Sequence, residues 1–125
     1  MNIWFLAASA ASFALCLLHI FGGGAVAARP LLATNALDRV AKYTNYYCWH
    51  MVTIIIAAMG LMHIYAAIFV DAVELAWVAS LLALAFSIWN LSLYFWQRKT
   101  FRHWYELAQW LFFTPIWLLG FAGLI

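Results

Sequence analysis

The chain has 125 residues, of which 70 % are apolar and 8 % are charged. Soluble domains have about 45–50 % apolar and about 25 % charged residues, so this composition excludes an ordinary soluble globule, and it excludes disorder as well. The net charge of +2 is too small for a nucleic-acid-binding surface, and two cysteines are too few for a disulfide scaffold. The class that remains is a membrane protein, with the lipid bilayer as its main partner.

Four stretches of the chain are apolar and long enough to cross a bilayer. They cover about residues 3–24, 46–70, 75–97 and 103–125, and a spanning helix needs about 20 mostly apolar residues. Their apolar runs are continuous, without the alternation of a membrane barrel, which favours helices. The sequence therefore predicts an all-α fold, an integral membrane four-helix bundle that forms a single transmembrane domain over residues 1–125.

The charged residues predict which side of the membrane each loop occupies. All six Lys and Arg residues lie in the loops at 29–42 and 98–102, while the loop at 71–74 carries only Asp71 and Glu74. By the positive-inside rule the two basic loops are cytoplasmic and both termini are outside. The size of the chain and this charge bias favour a bacterial inner membrane, with the termini in the periplasm.

The first cytoplasmic loop has a pattern of its own. Pro30 is expected to stop the first helix, and Asn35 is placed to cap a following one. Residues at positions 37, 40, 41 and 44 then recur at helical spacing, with charged residues on the other faces. The sequence thus predicts a short amphipathic helix that lies at the membrane interface.

Each predicted spanning helix carries its polar and small residues on one face. These stripes are Ser9, Ser12, Cys16 and His19 on the first helix, His50, Thr53, Ala57 and Gly60 on the second, Ser80, Ser87, Asn90 and Tyr94 on the third, and His103, Glu106 and Gln109 on the fourth. Polar side chains in membrane helices usually face the bundle interior. We therefore expect the stripes to pack together through small residues and interhelical hydrogen bonds.

Three histidines define the candidate site. His19, His50 and His103 are all predicted near the cytoplasmic ends of their helices, and Glu106 lies one turn below His103. Imidazole is the commonest metal-ligating side chain, so these four residues are candidate ligands of a transition metal ion. Two facing histidines could instead be the axial ligands of a haem. The alternative is that each histidine is an interfacial side chain with one hydrated nitrogen.

Four further residues are expected to belong to the same pocket. At a rise of 1.5 Å per residue, Ser12, Asn90 and Gln109 lie about 9–12 Å inward from the cytoplasmic ends of their helices and form a second polar layer. Cys16 shares the stripe of Ser12 and would favour a softer metal ion. The fourth histidine, His63, points to a different side of its helix, and we expect it to contact a carbonyl group within the bundle.

Three functions are compatible with this pattern. The first is a cofactor-binding membrane protein that holds haem or a transition metal ion for electron transfer or a small oxidoreductase activity. The second is a structural or assembly subunit that packs against other membrane subunits or against itself. The third is a transporter for a small solute or proton that uses Glu106, Asn90 and Gln109 and acts as an oligomer. The sequence has no phosphate-binding loop, nucleophile elbow or His-Glu-x-x-His motif, so it leaves the question of an enzyme open.

Overall fold

The computed structural model describes residues 1–101 and 103–125. Helix α1 spans Ile3–Leu18 and continues through a π-helical segment, His19–Ala28, into α2, Arg29–Ala33; α3 spans Arg39–Ile68, α4 spans Val73–Gln97 and α5 spans Trp110–Ala122. Two short 3₁₀ helices, Val70–Ala72 and Trp104–Leu107, precede α4 and α5. The regular structure of the described residues is helical throughout, which confirms the all-α prediction.

The long helices form a four-membered bundle. Helix α1 packs against α3 and α5, and α4 packs against the same two helices. The central core draws buried residues from all four, among them Leu15, Ile56, Ala83 and Ile116. The predicted polar stripes face inward only in part: Ser9 Oγ donates a hydrogen bond of 2.9 Å to the backbone oxygen of a residue on α3. The fourth stripe, His103, Glu106 and Gln109, is exposed instead. The four-helix count of the prediction is confirmed.

Hydrogen bonds fix which parts of the chain share an end of the bundle. The backbone N–H of Asn2 donates to Ala67 O at 3.0 Å, and its side-chain Nδ2 donates to Gly123 O at 2.7 Å. Residues near both chain ends therefore meet the α3–α4 connection at one end. The opposite end carries α2, the start of α3, the end of α4 and the 3₁₀ helix before α5, and we call it the basic end after its Lys and Arg residues.

Three helical runs are long and apolar enough to cross a membrane: Ile3–Ala33, Arg39–Ile68 and Val70–Gln97. In the most apolar window of each run, 28–33 % of the residues are buried inside the bundle. The other apolar side chains are half-buried or exposed, and the exposed ones resemble a lipid-facing surface. Helix α5 is also apolar but has 13 residues, fewer than the other three.

The predicted start of the fourth helix at residue 103 is wrong. Residues Trp104–Leu107 form a separate 3₁₀ turn, which Glu106 Oε1 closes by accepting a hydrogen bond from the His103 N–H at 3.0 Å. Helix α5 begins later, at Trp110, whose N–H donates to Asn90 Oδ1 on α4 at 3.0 Å. The first N–H groups of a helix have no acceptor within the helix, and here a neighbouring helix supplies one.

The predicted interfacial helix is not a separate element. Asp38, rather than Asn35, caps α3, because its Oδ1 accepts hydrogen bonds from the two N–H groups at 40 and 41. The amphipathic segment therefore forms the first turns of α3. Pro30 does not stop the first helix either. It lies at the junction between the π-helical segment and α2, where the spacing of the backbone hydrogen bonds changes, and the helix continues to Ala33.

Candidate functional site

The first helix changes from α-helical to π-helical winding at His19. The segment has ten residues and includes the glycines at 22–24, and at its end the Arg29 N–H donates to Gly24 O, five residues earlier. Glycine disfavours α-helix, so the change occurs where helix propensity is weak. Short π-helical turns inside α-helices are frequent at functional sites. The candidate functional site is therefore centred on this segment.

Trp49 of α3 packs directly against the π-helical segment. Its ring stacks on that of His19, with centroids 3.9 Å apart and an interplanar angle of 15°. A Cβ atom at Gly23 would lie 2.7 Å from Trp49 Cη2, so only glycine allows this approach without a shift. The Trp49 carbonyl also accepts a hydrogen bond from His19 Nε2 at 3.2 Å. Because a carbonyl can only accept, the proton of the neutral ring lies on Nε2 and Nδ1 keeps its lone pair.

A half-open cavity of about 350 Å³ lies beside this contact, and we call it the His19 cavity. Its walls come from the first helical run, α3 and the start of α5. It is lined by Leu15, Leu18, His19, Gly22, Gly23, Val26, Ala27, Trp49, Val52, Ile56, Gln109, Phe112 and Phe113. Sites for small molecules are typically about 300–1,000 Å³, mostly apolar, with a few polar groups. Here His19, Gln109 and the Trp49 indole are the polar groups.

A second recess of about 270 Å³ also has Trp49 in its wall, and we call it the Arg29 groove. Its polar side chains are Arg29, Tyr46, His50 and Thr53. The rings of Tyr46 and His50 meet edge to face, with centroids 4.6 Å apart. The two recesses thus place His19 and His50 in different surroundings: that of His19 is almost entirely apolar, and that of His50 combines polar and apolar groups.

The predicted metal ligands are distributed over three places. His19 lines its cavity and His50 lines the Arg29 groove, while His103 is exposed and stacks on Tyr105, with ring centroids 5.0 Å apart. Glu106 holds the backbone of His103 in the 3₁₀ turn. Within the described residues, no group of three or more His, Cys, Asp or Glu side chains is placed to hold a metal ion. The structure therefore gives no support to an ion held jointly by these four residues.

Two of the four residues expected beneath the histidines do meet. Asn90 Nδ2 donates to Gln109 Oε1 at 2.9 Å, and Gln109 lines the His19 cavity. Ser12 Oγ instead donates to Ala8 O on its own helix at 2.9 Å, and Cys16 packs in the hydrophobic core. The polar layer therefore contributes one side chain, Gln109, to the wall of the cavity.

His63 is fully buried on α3 near the opposite end of the bundle from the His19 cavity. Its Nδ1 donates to Met59 O at 3.0 Å, which confirms the expected carbonyl partner. Its Nε2 lies 3.2 Å from Ser80 Oγ, and that hydroxyl also lies 2.7 Å from Ala76 O. Because a neutral ring has one proton, Nε2 must accept, and the hydroxyl proton is shared between two acceptors. The contact with Ser80 was not predicted, although the serine belongs to the predicted polar stripe of its helix.

Comparison of the chain with protein-family models, with curated proteins and with solved structures finds no match. The features of the molecule that bear on its function are therefore the two recesses at the π-helical segment. One joins apolar walls to an imidazole whose orientation is fixed by a backbone carbonyl. The other joins a guanidinium group to two aromatic rings that carry hydrogen-bonding atoms.

Proposed function

We propose that this is an integral protein of a bacterial inner membrane, with both termini periplasmic, that binds haem in the His19 cavity and acts in electron transfer or as a small oxidoreductase. The observation that carries the proposal is the fixed orientation of His19 in the wall of a mainly apolar cavity. Histidines that ligate iron or zinc commonly donate their other ring N–H to a carbonyl, which fixes the tautomer and the ring. His19 has that arrangement, with Nδ1 as the ring atom that keeps a lone pair.

The distribution of donor residues favours haem over a bare metal ion. A bare transition metal ion takes about three or four protein ligands. The described residues do not contain such a group. Haem brings its own four nitrogen donors, so that the protein needs to add one or two axial ligands and an apolar surround. The oriented His19 and the mainly apolar cavity that it lines are consistent with that smaller requirement and support the proposal.

The polar residues named for a transporter have other roles in the structure. Glu106 closes the 3₁₀ turn at His103, and Asn90 bonds both Gln109 and the first N–H of α5. The geometry therefore supports cofactor binding better than a solute pathway. An assembly subunit stays a hypothesis, to be tested by whether other membrane proteins are purified together with the chain.

The test is an absorption spectrum of the protein purified in mild detergent, oxidised and then reduced with dithionite. We expect a Soret band, or its appearance when haemin is added, at about one haem per chain. His19→Ala should abolish it, while His103→Ala, which removes an exposed ring outside the cavity, is the matched control. A colourless protein that takes up no haemin, or equal uptake by wild type and His19→Ala, would show the proposal to be wrong.

A further inference from the structure

We propose that the Arg29 groove binds a phosphate ester, and that its occupant is the head group of an anionic phospholipid from the leaflet at the basic end. This site is separate from the His19 cavity, and the inference does not depend on haem binding. It joins a cationic side chain, two hydrogen-bonding rings and an apolar wall in one recess of about 270 Å³.

The groove has the mixed lining that an amphiphile requires. It is lined by Ile20, Phe21, Gly24, Ala25, Ala28, Arg29, Leu32, Tyr46, Trp49, His50 and Thr53. The side chains of Ile20, Phe21 and Leu32 are exposed on its apolar side. No carboxylate occurs in this lining, so nothing in the groove neutralises the guanidinium. An acyl chain can lie along the apolar side while the phosphate meets Arg29.

Some polar side chains of the groove have hydrogen-bonding atoms that a ligand could use. Nearby polar side chains are already used, as Lys42 Nζ donates to Leu32 O at 3.2 Å and Thr53 Oγ1 donates to Trp49 O at 3.3 Å. The side chains of Arg29, Tyr46 and His50 make no hydrogen bond to any other described residue. The planar guanidinium presents paired N–H donors that match phosphate oxygens, and the phenol adds a further donor.

The charge of this end of the molecule favours an anion. Every Lys and Arg among the described residues belongs to the helix ends and connections gathered there: Arg29, Arg39, Lys42, Arg98 and Lys99. The acidic Asp38 on the same side is occupied in capping α3, and Glu106 is occupied in closing the 3₁₀ turn. Basic recesses between membrane helices on the cytoplasmic side are typical sites for anionic lipid head groups. Because Arg29 follows the apolar part of the first run, its depth suits a head group.

The test measures how well the intact protein retains defined lipids. Native mass spectrometry would compare phosphatidylglycerol, phosphatidylcholine and diacylglycerol, which differ in net charge and in the presence of a phosphate. We expect phosphatidylglycerol to be retained best. Arg29→Gln should reduce its retention roughly tenfold, as expected for the loss of one charge-assisted hydrogen-bonding group. Arg39→Gln is the control, because Arg39 is an exposed cation of the same end that does not line the groove.

Each outcome either supports or contradicts a lipid site in the Arg29 groove. Loss of phosphatidylglycerol in Arg29→Gln alone, with an unchanged helical circular dichroism spectrum, supports the site, and Tyr46→Phe should give a smaller loss. Equal losses in both arginine variants would mean that surface charge, not the groove, attracts the lipid. Displacement of the lipid by millimolar inorganic phosphate, but not by chloride at equal ionic strength, would assign the groove to soluble phosphate esters and overturn the lipid assignment.

Discussion

Gly120 is the position at which one added methyl group should have the clearest effect on stability. A Cβ atom there would overlap Ser80 Oγ and would lie 2.9 Å from His63 Nε2. All three residues are buried between α3, α4 and α5. Gly120→Ala must therefore displace the Ser80 hydroxyl from its place beside the histidine, in a part of the core where three helices leave no room.

The size of the effect follows from three contributions. Overpacking a core costs about 1–3 kcal/mol. If the hydroxyl is displaced, His63 Nε2 remains buried without a partner, which costs about 1–3 kcal/mol more. Alanine recovers about 1 kcal/mol of helix propensity relative to glycine. We expect Gly120→Ala to lower the free energy of unfolding by roughly 1–5 kcal/mol.

The assay is reversible unfolding in mixed detergent micelles, followed by far-UV circular dichroism. Gly24→Ala is the matched control, because a Cβ there meets nothing within 4 Å, and it should be neutral or stabilising. Removing the hydroxyl makes room, so the Gly120→Ala substitution should cost less in a Ser80→Ala background than in the wild type. Equal stability of Gly120→Ala and Gly24→Ala would show that the core beside Gly120 has room for a methyl group, contrary to this prediction.

Two further substitutions test contacts at the basic half of the bundle. Gly23→Ala should push the Trp49 ring aside, since its Cβ would lie 2.7 Å from that ring. We expect a weaker near-UV circular dichroism signal and a free energy of unfolding lower by about 1–3 kcal/mol. An unchanged spectrum would contradict the close approach. Asn90→Ala removes the acceptor of the Trp110 N–H. It should cost about 0.5–2 kcal/mol and speed hydrogen exchange in the first turn of α5, whereas exchange at the start of α3 should not change.

The sequence predicts the helices well where local composition decides them. The start of the first helix at residue 3 and the end of the third at residue 97 agree with the structure, because an apolar run and the charges that end it are local features. The start of α5 could not be found in this way. Its first N–H is accepted by Asn90, which lies 20 residues earlier on another helix, and no pattern near residue 110 reports that acceptor.

The height of His19 in the bundle could be predicted from the sequence, but the faces that the helices turn toward one another could not. The spacing correctly placed His19 at the level of the residues around position 50, and the structure stacks it on Trp49. The faces were derived at about 100° per residue, which holds for an α-helix. It does not hold for His103 and Glu106, which lie at and in the 3₁₀ helix Trp104–Leu107 rather than in an α-helix. The glycines at 22–24 were the available signal for a close approach, and Gly23 has that role.

The shortness of α5 has a consequence for the lipid around it. Its 13 residues extend only about 20 Å at 1.5 Å per residue, against roughly 30 Å for the hydrocarbon layer. In a bilayer we expect the lipids bordering α5 to thin locally, with the exposed rings of Trp104 and Tyr105 at the lowered polar boundary. This hydrophobic mismatch should make the protein prefer lipids with shorter acyl chains. Contact between the α5 helices of two copies would reduce the length of the protein–lipid boundary at which the bilayer is deformed.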